Sequence, residues 1–414
     1  MRNTSSVNWS DRIPGSENSV KLVIFSHFFL PKIGGVEKQV LSLAHGLAQY
    51  GNSQRQPRFE VTVITNTPTK EFQEPVYPFE VVRCPNFYQL WRLILRADVL
   101  HLAGPALIPL LIARLLGKPT VIEHHGYQSI CPNGILIHQP ERSVCPGYFQ
   151  AKRYVKCLKC QACEMPLSRS ILQVLLMAPR YLLSRTVTAN IAITDHVLQR
   201  HALPSSERIY YGIDDQFSES SIQFPDTQSP NKFCIAFVGR LVPEKGIPVL
   251  LDAVSILNAQ GFDVEVRLIG DGPQRQELEE LIAKRQLKDR VRILGYVSGL
   301  AMAKALRGVN AVVVPSVWEE AAGFSAIEQM MNGRLVIASA IGGLKEIVGD
   351  GGLLFPAGDA MALASHLRTV LHDPVHVESI TRRARARALQ LFKTDRMIWD
   401  HVRLYSRLVK QEKK

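Results

Sequence analysis

The chain is 414 residues long and 46% hydrophobic, with 49 Lys and Arg against 37 Asp and Glu, a formal net charge of +12. That length favours two or three domains over one, with enough apolar material for sizeable cores. The basic surplus favours anionic partners such as nucleotides or an acidic membrane face; nucleic acid is disfavoured because the aromatic residues, 7% of the chain, are not interleaved with the basic ones.

Residues 1–19 are polar, with Asn3, Ser5, Asp11 and Glu17, and read as a disordered tail rather than a secretory leader. Lys21 to Ser26 (KLVIFS) predicts a buried strand, followed by Gly34-Gly35 and an amphipathic helix from Val36 to Gln49. Phe59–Thr65, Val99–Ala103, Thr120–Glu123 and Ala189–Ile193 predict further strands, and such short apolar runs suit a parallel sheet covered on both faces. The apolar runs Leu107–Leu116 and Ile171–Leu183 are interrupted by Pro109 and Arg114 and by Pro179 and Arg180, short of the ~20 apolar residues a membrane span requires. The chain therefore reads as cytoplasmic, with peripheral contact to the inner membrane face left open.

Asp214 to Lys232, rich in Ser, Pro, Asp and Gln, predicts a linker, taken as 212–232. The alternation then restarts: strands at Phe233–Val238, Glu265–Ile269, Val291–Leu294, Ala311–Val314 and Leu335–Ala338, helices at Pro248–Gln260 and Gln274–Lys284, and helix over the last ~30 residues. The reading is α/β, two Rossmann-like doubly wound domains facing a central cleft, at 20–211 and 233–375, with C-terminal helices at 376–414. Ligands of such sheets bind beyond the carboxyl ends of the strands, so the loops there carry the chemistry.

The most informative loop is PSVWEEAAGFSAIEQMMNG, Pro315 to Gly333, where a strand runs into a helix through Gly323. Glu320 and Glu328 stand eight residues apart, and the amides of Ala322, Gly323 and Phe324 with the helix dipole suit a phosphate. Acidic residues also favour exposed helix starts, and Glu319 is the candidate for the exposed member. Arg240 and Lys245, in FVGRLVPEKG, could neutralise a leaving diphosphate or form a solvated basic loop. His125 follows a strand and could face the cleft or be a buried structural His; His124 beside it leaves the choice open. Gly34 and Gly35 would allow close approach of the backbone to an anion, or a tight turn.

These segments occur in the order Gly34-Gly35, His125, GIDDQF, GRLVPEKG, LIGDGP, LGYV, PSVWEEAAGFSAIEQMMNG, ASAIGGLKEIV, and that order resembles the family-four retaining glycosyltransferases from about residue 20 to 410. The resemblance implies a GT-B fold with the acceptor in the first domain, the nucleotide sugar in the second, the C-terminal helix returning to the first, and catalysis without a divalent metal. It implies that Arg240 and Lys245 hold the diphosphate, Glu328 the ribose, and Glu320 with Ala322 to Phe324 the sugar and nearby phosphate. Gly34 and Gly35 would approach the diphosphate, His125 the sugar, and Val297 the base. Three positions depart from the usual pattern: Ala321-Ala322 replaces Pro-Phe, Leu335 stands where a proline is common, and Tyr211 replaces an Asn before Gly212. They bear on sugar preference.

Cys131, Cys145, Cys157, Cys160 and Cys163 are spaced C-x13-C-x11-C-x2-C-x2-C, an insertion at 131–163 that suits a structural zinc, with an iron–sulfur cluster or free thiols as alternatives. Basic stretches at Lys152, Arg153, Lys156 and Lys159, at Arg169, Arg180 and Arg185, and at Arg382, Arg383, Arg385 and Arg387 could meet anionic lipid or simply be solvated. With these features, the resemblance implies a retaining transferase moving a sugar, with a UDP-sugar favoured as donor, to a glycan or lipid-linked acceptor in cell-surface polysaccharide synthesis. A nucleotide-sugar epimerase and a non-catalytic, metal-stabilised nucleotide-binding scaffold are the rival readings.

Overall fold

The computed structural model describes residues 19–31, 34–50, 59–69, 74–215 and 233–412. The expected tail over 1–18 and most of the expected linker, 216–232, lie outside the described residues.

The first sheet is built from β1 (Val20–Ser26), β2 (Phe59–Thr65), β3 (Glu80–Arg83), β4 (Val99–Ala103), β5 (Thr120–His124), β8 (Ala189–Ala192) and β9 (Ser206–Arg208), in the order β3-β2-β1-β4-β5-β8-β9. β1 runs parallel to β2, from Val20 opposite Phe59 to Ser26 opposite Thr65, and parallel to β4 on its other edge. Chain order thus runs outward in both directions from β1, the doubly wound arrangement expected. The missed strands β3 and β9 are short and half-exposed, so they lack the apolar run that marks the others.

The chain divides into two compact units. The first holds β1 to β4 with α1 (Gly35–Tyr50), α2 (Phe87–Arg96) and α3 (Leu107–Leu115), and takes in the chain from Ile398 onward. Helix α1 buries Val40, Leu43, Ala44 and Leu47, one stripe at helical spacing. Asn86 and Gln89 form a reciprocal capping box at the start of α2. Pro109 does not break α3 because it sits in the first turn, where its missing N–H has no intrahelical partner to lose. The last helix, α14 (Thr394–Glu412), returns to this unit: buried Tyr405 meets His101 Nδ1 at 2.8 Å through its hydroxyl and packs on Phe59.

The second unit opens with the Cys-rich segment: the hairpin β6 (Ile137–His138) and β7 (Ser143–Val144), then α4 (Tyr154–Ala162), α5 (Leu167–Ser184) and α6 (Asp195–His201). Its own sheet comprises β10 (Phe233–Val238), β11 (Val264–Ile269), β12 (Val291–Gly295), β13 (Ala311–Val314), β14 (Leu335–Ser339) and β15 (Leu353–Phe355), all parallel, in the order β12-β11-β10-β13-β14-β15. Helices α7 (Ile247–Ala259), α8 (Arg275–Lys284), α9 (Gly299–Ala305), α10 (Phe324–Met331), α11 (Gly342–Val348), α12 (Ala360–His372) and α13 (Pro374–Leu391) complete it. One of its buried clusters joins Tyr127, Ile130 and Tyr211 with Ala321, Ile327 and Leu344, so the segment after β5 shares a core with the loop after β13.

The arginines of α13 divide: Arg382 and Arg383 are exposed, whereas Arg385 is buried and Arg387 half-buried. Arg385 is buried on the Met331 carbonyl and on Asp215 at 2.9 Å, Arg387 donates to the Glu346 and Ile347 carbonyls at 2.7 and 3.0 Å, and Arg383 to that of Asp350 at 3.3 Å. They satisfy carbonyls at the ends of α10 and α11, which have no partners within their own helices. Among the described residues no helix is long and apolar enough to cross a membrane.

Candidate active site

Buried β13 delivers the chain into a loop that ends at Gly323, the cap of α10, with a φ of 73°. A side chain there would strike Leu344, so the left-handed turn and the close packing both require glycine. Glu320 lies in this loop, 5% exposed, and its Oε1 accepts from the Ser316 hydroxyl at 2.6 Å and pairs with the Lys245 ammonium. Burial alone would raise the Glu320 pKa, but the Lys245 charge and the hydrogen bonds from Lys245 and Ser316 outweigh it and hold the carboxyl below its ordinary value.

Lys245 arrives from the short turn Pro243–Lys245 that follows β10. Gly246 behind it, with φ 64°, lets the backbone pass directly against the Pro315 carbonyl, while the Val317 amide donates to the Glu244 carbonyl at 3.0 Å. Arg240 stands at the same strand end with its side chain 75% exposed, 4.0 Å from Glu244. Lys245 and Glu320 are thus brought into contact, whereas Arg240 projects into solvent.

Three residues that motif reasoning missed fix this wall. Tyr127 Oη donates to the Glu319 carbonyl at 2.9 Å, Thr194 Oγ1 to the Ala321 carbonyl at 2.7 Å, and Arg200 Nε to the Glu319 carboxylate at 2.7 Å. Glu319 is the more open member of the pair, its side chain 17% exposed against 6% for Glu320, but it is not free: His196 approaches it at 3.5 Å as well, and although burial opposes ionisation, His196 and Arg200 hold its pKa down. Glu346, from α11, accepts the Asp195 and His196 amides at 2.9 and 3.1 Å and the Tyr210 hydroxyl at 2.7 Å, anchoring the start of α6. Threonine at the start of α6 was a legible cap signal; the other partners are more than a hundred residues from the loop they hold.

His125 is held by Tyr211, whose hydroxyl lies 2.9 Å from Nδ1 and whose ring stacks on the imidazole at 5.7 Å. Tyr211 in turn meets the Phe324 ring edge-on at 5.9 Å, linking His125 to the first residue of α10. The departure from Asn at position 211 thus places an aromatic connector in the site. His124 is the structural neighbour: buried, 2.8 Å from Asn190 Oδ1 and 4.4 Å from the His201 ring, with its pKa lowered by burial to about 4. Glu328 is half-buried on the second turn of α10, and Val297 packs at the end of β12 against a small cluster with Ile269 and Leu306. Gly34 and Gly35 open α1 in the first unit. Of the five cysteines, Cys131, Cys145, Cys157 and Cys160 are buried and Cys163 is exposed.

The chain is similar to known proteins in sequence and in fold. A family model described as Glycosyltransferase Family 4 matches residues 33–217, and one described as Glycosyl transferases group 1 matches 219–387. The chain is 26% identical to alpha-D-kanosaminyltransferase of Streptomyces kanamyceticus over 65% of both chains. It is 33% identical to phosphatidyl-myo-inositol mannosyltransferase of Mycobacterium leprae over 34% of this chain and 38% of that one. These matches span less than two thirds of either relative. Among solved structures it is similar to Anabaena HepE in complex with UDP and glucose, with a TM-score of 0.67 and 20% identity over 94% of this chain and 99% of that one. The two models together match most of the sequence, and the chain belongs to the group 1, family 4 glycosyltransferases of GT-B fold.

Proposed function

We propose that this protein is a retaining glycosyltransferase that moves a sugar from a nucleotide sugar, a UDP-sugar foremost, to a glycan or lipid-linked acceptor of the cell surface, with no divalent metal in the chemical step. The observation that carries this reading is the buried Lys245–Glu320 pair at the N-terminal end of α10. A diphosphate taken up by Lys245, Arg240 and the first amides of α10 would relieve Glu320 of its cation and turn it to the sugar hydroxyls, while Glu328 holds the ribose. Val297 would lie against the base. His125, oriented by Tyr211, would lie near the sugar. As the bond from the anomeric carbon to the phosphate breaks, the acceptor oxygen bonds on the same face and its proton passes to the departing phosphate oxygen.

HepE, solved with UDP and UDP-glucose, supports the choice of base. The acceptor class is supported by α5, whose Leu167, Ile171, Leu172, Leu175 and Leu182 form an exposed apolar stripe. Exposed Lys152, Arg153, Lys156, Lys159, Arg169 and Arg185 surround it in sequence, which suits an enzyme resting on anionic lipid.

The deciding measurement is transfer or hydrolysis of UDP-sugars with chelator present, followed by anomeric analysis of the product. Arg240→Ala is the clean variant because its side chain is exposed, and kcat/KM should fall by about 2–4 kcal/mol of transition-state binding, roughly 30- to 1000-fold, with unchanged melting temperature. A loss under tenfold sinks the diphosphate role. Release of an epimerised nucleotide sugar, or binding without turnover, points to the epimerase or the scaffold.

A further inference from the structure

The Cys-rich segment is not consumed by the reaction, and its cysteines do not form one set. Cys163 is exposed and gives its thiol to the Lys159 carbonyl of its own helix at 3.4 Å. The other four are buried, at 6–7% exposure, and come from three places: Cys131 in the loop after β5, Cys145 after β7, and Cys157 with Cys160 one turn apart on α4. A single side chain bridges two of them. Asn133 accepts from Cys131 Sγ at 2.8 Å through Oδ1 and donates to Cys160 Sγ at 3.7 Å through Nδ2.

Amides also point at the sulfurs. The Gln139 backbone N–H donates to Cys160 Sγ at 3.4 Å, and the backbone at Leu136, Asn133 and Gly134 hydrogen-bonds Cys131. Neutral buried thiols need no such donors; metal-bound thiolates are held and oriented by them. Four buried thiols from three places in the chain, two of them bridged by one side chain, fit a site completed by a cation.

We infer that Cys131, Cys145, Cys157 and Cys160 bind one structural zinc as a tetrathiolate, and that Cys163 takes no part. Binding displaces a proton from each thiol to solvent and leaves a complex of net charge −2, flanked in sequence by Lys156 and Lys159. In the protonated state described here the sulfurs face oxygen acceptors, Cys160 the Ile137 carbonyl at 3.3 Å, and no three of them lie within 4.8 Å of one another. Coordination therefore turns the side chains inward from their present rotamers. The gain is mechanical: Arg200 donates to the Cys145 carbonyl at 2.8 Å and to Glu319 at 2.7 Å, so the zinc loop and the Glu319-Glu320 wall share one guanidinium.

The test uses the full chain, purified under reductant without chelator, and reads metal rather than transfer. About one zinc per chain is expected by elemental analysis, and cobalt substitution should give the visible bands of a tetrahedral thiolate site. Cys163→Ser should keep both signals, whereas Cys157→Ser and Cys160→Ser should lose the metal or weaken its affinity by about tenfold or more. Cobalt spectra of the wild-type chain decide the case even if those variants fail to fold. The inference is overturned by a chain that stays free of zinc after dialysis against zinc and reductant, by iron with acid-labile sulfide, by disulfides among the four, or by loss of the cobalt bands in Cys163→Ser.

Discussion

Tyr211 holds His125 through its hydroxyl and meets Phe324 through its ring, so two kinds of contact can be separated at one residue. Tyr211→Phe keeps the stacking and removes the hydrogen bond; it should lower stability by about 1 kcal/mol in urea unfolding. Tyr211→Leu removes both and should cost more. Equal stability of Tyr211→Phe and the wild type would mean that the hydroxyl contributes nothing to the site. At this scale the order of motifs brought Glu320, Lys245 and Arg240 forward as candidates, the two cations for a diphosphate and the carboxylate for sugar hydroxyls. Tyr211 was visible only as a departure. Arg200, Tyr127 and Glu346 were invisible, since nothing local in the sequence marks a side chain whose partner lies across the fold. The partners of Glu319 were hidden for the same reason: Arg200 and His196 arrive from α6.

Among the elements, the buried parallel strands were the most legible, since β2, β4, β10 and β13 coincide with apolar runs. Helix faces were less so. The arginine row of α13 and the leucine stripe of α5 are both amphipathic in sequence, yet Arg385 and Arg387 turn inward to carbonyls while the leucines are left in solvent. Only packing separates them. Flotation with vesicles checks α5: the chain should bind phosphatidylglycerol-containing vesicles, weakly at high salt and hardly at all to neutral ones. Ile171→Glu with Leu175→Glu, both at exposed positions, should lower the partition coefficient by about tenfold or more. Unchanged flotation of that variant removes α5 from the interface.

For the molecule as a whole, acid is the sensitive direction. Burial lowers His124 to about 4, and His201, 4.4 Å away, is also held well below its ordinary value, mainly by burial. Between about pH 4 and 6.5 the unfolded chain binds protons there that the folded chain refuses, so stability rises with pH across that window and is lost as pH falls through it. From pH 7 to pH 5 His124 should account for a loss of about 2 kcal/mol, read by urea unfolding at each pH, and His124→Gln should flatten that slope. The two-unit division has a consequence for synthesis. Leu404, Tyr405 and Leu408, buried at 1%, 0% and 3%, belong to the same unit as β1 to β4 but leave the ribosome some three hundred residues after them. The part of the protein made first is therefore the part finished last: His101 and the Phe59 ring wait, without their Tyr405 contacts, through translation of the entire second unit.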